Sequence, residues 1–509
     1  MDTISRYLIN STTILAIAFG FFYVYAKYKL SYWSRRGVKT PPTHLIFGNF
    51  KDVIMLKKAP ADLMCEMYES ADPDDPYIGF YIFHQPMLLL RNHELIKETM
   101  IKHYNVFPNR RFGSVTNADF LGFRNLLAIT SQQTWKFLKT KLTPSLTGQK
   151  LKIMIPLITK CIEPMLKYID GLPENEDNCK EIKDVREIST RYVSNVLASV
   201  TYGIEVNAFE EESSGFFEAG INLFRGSMRA MVLMIYFFVP MLSPLIEPFT
   251  KRGSKYFRKH FDESVKYREE TRSKRGDLVD YMIMLKNGKQ HPDFKFEGNN
   301  LAAQASSFYI AGFEASGTLA AWVINEITLK PEYQNALYKE IKKYQLDKEI
   351  TMESINETPF LDCIINETLR LHPPIPVIDR IAEADFEIKE TGLVIEKSVS
   401  IYVSVNAVTK DPKYFNDSCE FLPLREKTEN KKFYESLGFG IGPRTCIGQR
   451  LAIIIMKVMI ITLVSNYVFT YEKRNVENVK KKKGVQFIQY MDENFLLKFK
   501  KRELSEQVL

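Results

Sequence analysis

Phe439-Gly-Ile-Gly-Pro-Arg-Thr-Cys446-Ile-Gly448 lies between a polar loop, residues 426–435, and an apolar run of helical composition, residues 451–464. A cysteine just ahead of a helix has its sulfur near the free N–H groups and the positive end of the dipole, and both favour thiolate over thiol. Gly440, Gly442 and Gly448 permit tight turns and close approach of a flat ligand. Arg444, two residues before the cysteine, can reach an anionic group on that ligand. A buried structural cysteine in a Gly-rich loop is the plain alternative. No second Cys or His lies at metal-site spacing from Cys446, which argues against zinc. A lone thiolate backed by glycines and an arginine suits an axial ligand to haem iron.

The ten residues fit a complete pattern: Phe, two spacers, Gly, spacer, Arg, spacer, Cys, spacer, Gly. That pattern resembles the haem-binding loop of the cytochrome P-450 family at every fixed position. The resemblance implies a mainly α fold with small β-sheets, the cytochrome P-450 fold, carrying haem b on the Cys446 thiolate. Phe439, Arg444 and Gly448 then belong to the haem site.

The bulk numbers fit a folded globular chain: 509 residues, 45% hydrophobic and 26% charged, with no internal repeat. A net charge of +8 is modest for this length and gives no argument for nucleic acid, though it suits anionic lipid or an acidic partner. The six cysteines have no paired spacing, which fits a reducing compartment.

From Tyr7 to Ala26 run twenty residues without a charge, about the length of one membrane-spanning helix. Arg6 precedes the run, while Lys27, Lys29, Arg35, Arg36 and Lys39 follow it. The basic excess places the following chain on the cytoplasmic side and the N-terminus in the lumen. The run is long for a cleaved signal peptide and lacks a small-x-small site after it. We expect a single-pass anchor at 1–27, a basic hinge with Pro41-Pro42 at 28–45, and a catalytic domain at 46–509. The resemblance to microsomal family members implies the endoplasmic reticulum membrane.

Residues 77–81 and 87–90 read as two strands around His84-Gln85-Pro86. Beyond them, Phe112, Phe120 and Phe123 sit in a loop where aromatics are usually core filler. In the family the equivalent loop covers the haem and lines the substrate cavity. Trp135 and Lys139 are four apart on one helical face. They resemble the family's Trp-x-x-x-Arg pair that contacts haem propionates, with Lys139 keeping the charge and losing the bidentate fork. Alone, such a pair is more often an ordinary amphipathic helix. Between Ala230 and Ile246 no residue is charged, but Pro240 and Pro244 argue against one continuous span. A pair of helices partly dipped in the bilayer, or plain protein core, fits the run.

A long apolar helix is expected from about Asn299 to Lys330, with Ala311-Gly312-Phe-Glu314-Ala315-Ser316-Gly-Thr318 midway. Glu314 among small residues suggests a proton relay beside a ligand groove, with Gly312 allowing close approach. The family pattern here is Ala/Gly-Gly-x-Asp/Glu-Thr, whose acid and alcohol guide protons to dioxygen. Ala315 stands where the threonine is expected. Ser316 and Thr318 are the nearest hydroxyls, although Ser316 points about 100° round the helix from position 315. A substrate hydroxyl is another source. So is chemistry needing no relay: rearrangement or dehydration of a peroxide.

Glu367-Thr-Leu-Arg370 puts an acid and a base three apart, ahead of Pro373-Pro374. This resembles the family's buried Glu-x-x-Arg, joined by a later arginine, here Arg425, with Glu426 replacing the usual aromatic. By the same resemblance Arg380 holds a second propionate and Ile375 to Ile378 form a cavity wall. Phe487 is expected at the pocket.

The family implies electrons from NADPH through an NADPH-cytochrome reductase, with cytochrome b5 as a further partner, dioxygen as cosubstrate and a lipophilic small molecule as substrate. The runs Ala311-Gly-Phe-Glu, Trp135-Lys and Thr143-Pro-Ser look most like insect microsomal members that handle xenobiotics and plant toxins. Two other classes remain open: a haem-thiolate isomerase or dehydratase of peroxides, and a non-catalytic haem-bearing ligand binder.

Overall fold

The computed structural model describes residues 2–111, 124–210, 215–224, 227–344, 349–425, 437–471 and 497–503. The chain falls into two compact units, Met1–Arg111 with Val377–Val408, and Phe112–Pro376 with Thr409–Leu509. Among the described residues the strands are β1 (Tyr77–Ile82), β2 (Gln85–Leu90), β3 (Cys179–Ile182), β4 (Val377–Ile381), β5 (Phe386–Ile388), β6 (Leu393–Ile395), β7 (Ser400–Ser404), β8 (Tyr467–Tyr471) and β9 (Leu497–Lys501). The principal helices are α1 (Asp2–Leu30), α2 (Gln132–Leu142), α3 (Val185–Leu197), α4 (Ser227–Phe238), α5 (Ser243–Thr271), α6 (Gly298–Leu329), α7 (Pro359–Leu371) and α8 (Gln449–Asn466). The architecture is mainly α with small sheets, as the sequence leads one to expect.

The first unit is built on a four-stranded sheet in the order β1-β2-β7-β4. Strands β1 and β2 form an antiparallel hairpin in which Phe80 faces Met87, turning at Phe83-His84. Phe83 takes φ 54, the left-handed conformation that reverses the chain so tightly. β2 runs parallel to β7, with Leu89 opposite Tyr402, and β4 closes the edge antiparallel to β7. Strands β1, β2 and β7 are enclosed on both faces along most of their length, and Phe80, Leu88, Ile401 and Val403 are completely buried. A separate hairpin, β5–β6, belongs to the same unit.

Helix α1 contains the apolar run that is the candidate membrane anchor. Thr13–Arg36 is long and apolar enough to cross a membrane and only 6% of its apolar window is buried. Gln449–Asn466 passes the same test of length and composition but is 72% buried, which marks a core helix.

The second unit is organised around α6. Its 32 residues are rich in Ala and other small side chains. The helix stops at Lys330 (φ −126°, ψ 78°) because the following Pro331 excludes the helical conformation from its predecessor. Most of α6 is buried, and it packs on α3, α7 and α8. Gly317 sets the α3–α6 spacing: a Cβ there would lie 3.0 Å from the Thr190 Cα. α7 starts on Pro359 and ends before Pro373, as the prolines dictate. A three-stranded sheet, β3-β9-β8, completes this unit.

The uncharged stretch 230–246 is not one span. α4 ends at Phe238, a 3-10 turn covers Pro240–Leu242, and α5 begins at Ser243. Val232, Met234, Tyr236 and Phe238 are buried, whereas Met241 and Leu245 are 60% and 71% exposed.

Candidate functional site

The loop ending in Cys446 is held by its own backbone. The Cys446 N–H donates to the Phe439 carbonyl at 2.8 Å, and Thr445 Oγ1 donates to the Gly440 carbonyl at 2.8 Å. Gly440 (φ 80°) and Gly442 (φ 70°) adopt left-handed backbone that a side chain would strain. The result is an exposed Cys446 side chain, three residues before the first residue of α8. Gly448 stands at the cap of that helix and has no side chain with which to accept from its first-turn N–H groups. The sulfur therefore lies at a helix N-terminus, where the dipole stabilises a thiolate. A Cβ on Gly448 would sit 4.0 Å from the Cys446 Sγ, in ordinary van der Waals contact, which places this residue directly beside the sulfur.

Arg444, Trp135 and Lys139 meet beside this loop. The buried Arg444 guanidinium lies 4.1 Å from the Trp135 ring centroid, and Lys139 Nζ approaches the same ring at 5.3 Å. Arg444 also reaches the carbonyls of Leu126 and Ile129, at 3.5 and 3.4 Å. Lys139 donates to the Pro443 carbonyl and so ties α2 to the cysteine loop. Ser131, whose hydroxyl accepts from the Thr134 N–H, caps α2 and fixes its start. Two cations over one indole make a positive locus beside Cys446.

On α6 the residues sort by face. Ala311 is exposed and Gly312 and Ala315 are half-buried, a strip of small side chains on a helix whose C-terminal half is otherwise enclosed. Glu314, Ser316 and Thr318 are buried; Thr318, seven residues on from Ala311, lies on the same side of the helix, whereas Ser316 lies about 100° round from Ala315. Gly312 also serves packing, since a Cβ there would lie 3.1 Å from Leu197 Cδ1 on α3. Ser316 and Thr318, the hydroxyls nearest Ala315 in sequence, are both enclosed, and Thr318 Oγ1 has no hydrogen-bond partner among the described residues.

Glu314 is fully buried, and Arg186 Nη1 on α3 lies 3.7 Å from its Oε1. Arg186 is itself held 3.5 Å from Asp184, whose carboxylate caps α3 by accepting from the N–H groups of Arg186 and Glu187. Sequence reasoning does not single out Arg186. The signal it carries is an arginine two residues after a capping Asp, on a helix of otherwise buried composition.

The acid and bases expected as a trio meet. Arg370 grips Glu367 through Nε (2.9 Å) and Nη2 (2.7 Å), and Arg425 Nε joins at 3.0 Å. Arg370 also donates to the carbonyls of Thr409, Ser418 and Glu420, and the Leu422 N–H donates to Glu367. Charge and donors are thus satisfied inside the fold, the condition under which a buried ionic group is tolerated. Beyond it, His372 stacks on Trp322 at 3.8 Å and 2°, with Nε2 at 2.7 Å from Glu326 Oε1. Burial, with the Glu367 charge adding, raises the Glu326 carboxyl to about 7.

Ile375 is half-buried in this unit. Ile378, half-buried, and Arg380, fully buried with Nη1 on the Asp379 carbonyl at 2.6 Å, stand on β4 in the other unit. Phe112, Phe120, Phe123 and Phe487 lie outside the described residues.

The residues fit a haem-thiolate centre: an exposed cysteine at a helix N-terminus, glycines at its flank, a buried arginine and a lysine beside it, and a strip of small side chains on α6. The orphaned Thr318 hydroxyl in the same helix further fits a site built for another polar group.

Comparison with known proteins agrees. The family model for cytochrome P450 matches residues 38–497. Cytochrome P450 6k1 of Blattella germanica is 30% identical over 487 residues, covering 90% of this chain and 91% of that protein. Probable cytochrome P450 6g2 of Drosophila melanogaster is 30% identical over 483 residues, with 91% and 93% covered. Cytochrome P450 3A18 of Rattus norvegicus is 28% identical over 482 residues, with 92% and 93% covered.

Proposed function

The chain belongs to the cytochrome P450 family, and from that premise we propose that it inserts one atom of dioxygen into a lipophilic small molecule. Electrons come from NADPH through a membrane-bound NADPH-cytochrome reductase, with cytochrome b5 as a second donor. The other oxygen atom leaves as water. The enzyme works at the endoplasmic reticulum membrane, with its N-terminus lumenal and its body cytoplasmic. Xenobiotics and plant toxins are the proposed substrates, on the resemblance of Ala311-Gly-Phe-Glu, Trp135-Lys and Thr143-Pro-Ser to insect microsomal members.

Haem, when bound, supplies dioxygen activation and oxygen-atom transfer, promoted by electron density from the thiolate. The chain's residues prepare that chemistry. Cys446 provides the thiolate, stabilised by the N-terminus of α8. Gly440 and Gly442 shape the loop and Gly448 lies beside the sulfur. Arg444, Trp135 and Lys139 offer charge and hydrogen-bond donors for propionates. Ala311, Gly312 and Ala315 leave space for substrate and oxygen against α6. Glu314 is the acid that can carry a proton, and it must first give up its contact with Arg186. Thr318, one turn from Glu314 and on the same side of the helix as Ala311, is better placed than Ser316 to join such a path through a water.

The observation that carries the proposal is the exposed Cys446 in its glycine-bounded loop at the start of α8. The test is the carbon monoxide difference spectrum of the reduced protein, followed by product formation from a lipophilic panel in membranes containing the reductase and NADPH. A thiolate-type spectrum with NADPH-driven product supports a monooxygenase.

A second reading is favoured by Ala315 on the small-residue strip. A peroxide isomerase or dehydratase needs no hydroxyl there. Rapid consumption of added organic hydroperoxide, with no NADPH-driven product, would establish that reading instead. Ligand binding without turnover in either assay would leave a haem-bearing binder.

A further inference from the structure

The segment that joins the apolar helix to the body is bonded along its whole length. On α1, Phe22, Ala26 and Leu30 form one stripe at helical spacing, with Ala26 fully buried and Phe22 and Leu30 partly so. The flanking side chains Phe21, Tyr23, Val24, Tyr25 and Tyr28 are 46–74% exposed. The stripe meets the β1–β2 turn: the His84 ring lies edge-on to Phe22 and Tyr25, at 5.8 and 5.7 Å. His84 Nε2 in turn is 2.8 Å from the Leu45 carbonyl, which holds the neighbouring loop and its exposed Ile46.

The chain leaving α1 is fixed as firmly. Arg35 donates to the carbonyls of Ser31 and Tyr28 at the end of the helix and stacks on Tyr28 at 4.1 Å. Trp33 is fully buried, its N–H donating to Tyr81 Oη (3.0 Å) and its Nε1 to the Phe80 carbonyl (3.3 Å). Gly79 makes room for it, since a Cβ there would lie 2.5 Å from the Trp33 ring. Tyr32 and Arg36 both bond Glu396 at the end of the β5–β6 hairpin, and the Gly79 N–H donates to the Lys39 carbonyl at 2.9 Å.

Length decides what this docking does. The uncharged run Tyr7–Ala26 is twenty residues, about one bilayer thickness with nothing to spare. Its last turn is the part that touches His84. The charges that follow, Lys27, Lys29 and Arg35, belong at the level of the lipid headgroups. A helix pinned at Phe22 therefore brings the turn at His84 and the loop at Ile46 down to that level.

We propose that residues 22–39 are a rigid strap that couples the membrane helix to the sheet of the first unit and holds the Ile46 loop in the headgroup layer of the bilayer. The proposal rests on the reading of α1 as a membrane anchor. Anchor and sheet move as one body, and the strap fixes the depth of this unit in the membrane.

The test uses the full-length holoprotein in phosphatidylcholine nanodiscs whose acyl chains are brominated near the headgroup. Ile46→Trp adds one exposed fluorophore to three tryptophans that are all buried. Brominated lipid is expected to quench the added emission at least twofold relative to unbrominated lipid. Three glycines inserted between Leu30 and Ser31 are expected to remove that quenching while the carbon monoxide difference spectrum stays unchanged. Absence of quenching in Ile46→Trp overturns the placement of the loop. Equal quenching with and without the glycines overturns the coupling. Failure of the protein to enter the discs at all refutes the anchor reading itself.

Discussion

Arg186 Nη1 on α3 lies 3.7 Å from Glu314 Oε1 on α6, and the two side chains are 5% and 0% exposed. The acid that the sequence marks as a proton carrier is therefore stored in an ion pair, one residue round the helix from the open strip at Ala315. Removing the cation strands a buried charge. Arg186→Met is expected to destabilise the fold by about 3–5 kcal/mol, read by urea unfolding. Adding Glu314→Gln to it is expected to recover most of that loss, because the fully buried carboxylate is then gone. Equal costs for the single and double variants would show that the pair is not coupled.

Glu314→Gln alone tests the acid. NADPH-driven product formation is expected to fall roughly 100-fold or more, the range for loss of a general acid or base. Product formation driven by added peroxide is expected to change far less, since that route bypasses proton delivery to dioxygen. A parallel loss in both assays would place Glu314 in structure rather than in proton transfer.

Ala315→Thr restores a hydroxyl on the half-buried strip of α6. We expect less hydrogen peroxide released per NADPH consumed and more product. Unchanged coupling would mean that protons reach oxygen by another group, with Thr318 the next residue to replace, by Val.

The trio of Glu367, Arg370 and Arg425 is graded by exposure: 7%, 4% and 15%. Arg370→Ala leaves a buried carboxylate without its bidentate partner and is expected to cost about 3–5 kcal/mol. Arg425→Ala, at the edge of the network, is expected to cost less. Unfolding midpoints and haem retention on dilution measure both.

Stability is expected to depend on pH through Glu326. Burial, then the Glu367 charge, raises its carboxyl from the ordinary 4.5 to about 7 against the opposing pull of Asn325, Lys410 and Lys330. Tyr471, which donates to Asn325, is itself raised by burial and stays neutral in this range. The folded state thus keeps a proton, within the 2.7 Å contact to His372, that the unfolded chain releases. Stability is therefore lost as pH rises from about 4.5 to about 7, by up to roughly 3 kcal/mol. Glu326→Gln should flatten that slope, and an unchanged slope would assign it to another group.

Gly317→Ala would place a Cβ 2.8 Å from Thr190 Cγ2 and 3.0 Å from its Cα. Forcing α3 and α6 apart is expected to cost about 1–3 kcal/mol. Thr190→Ser should recover only part of the loss, because the clash with the backbone of residue 190 remains.

What the sequence determined on its own is what lies within a turn or two along the chain. The glycine spacing around Cys446, the prolines at 331, 359 and 373 and the twenty uncharged residues before Lys27 each act through local backbone geometry or local length, and the structure reproduces them. The family followed from the same kind of pattern. Tertiary structure alone decided the rest. Arg186 reaches Glu314 only because Gly317 lets α3 close on α6, Lys139 meets Pro443 only because α2 docks at the cysteine loop, and Ser316 and Thr318 are enclosed by helices that no spacing rule positions. These interactions join residues far apart in sequence, and their energies depend on burial and on which side chains face one another. Neither quantity exists until the helices have packed.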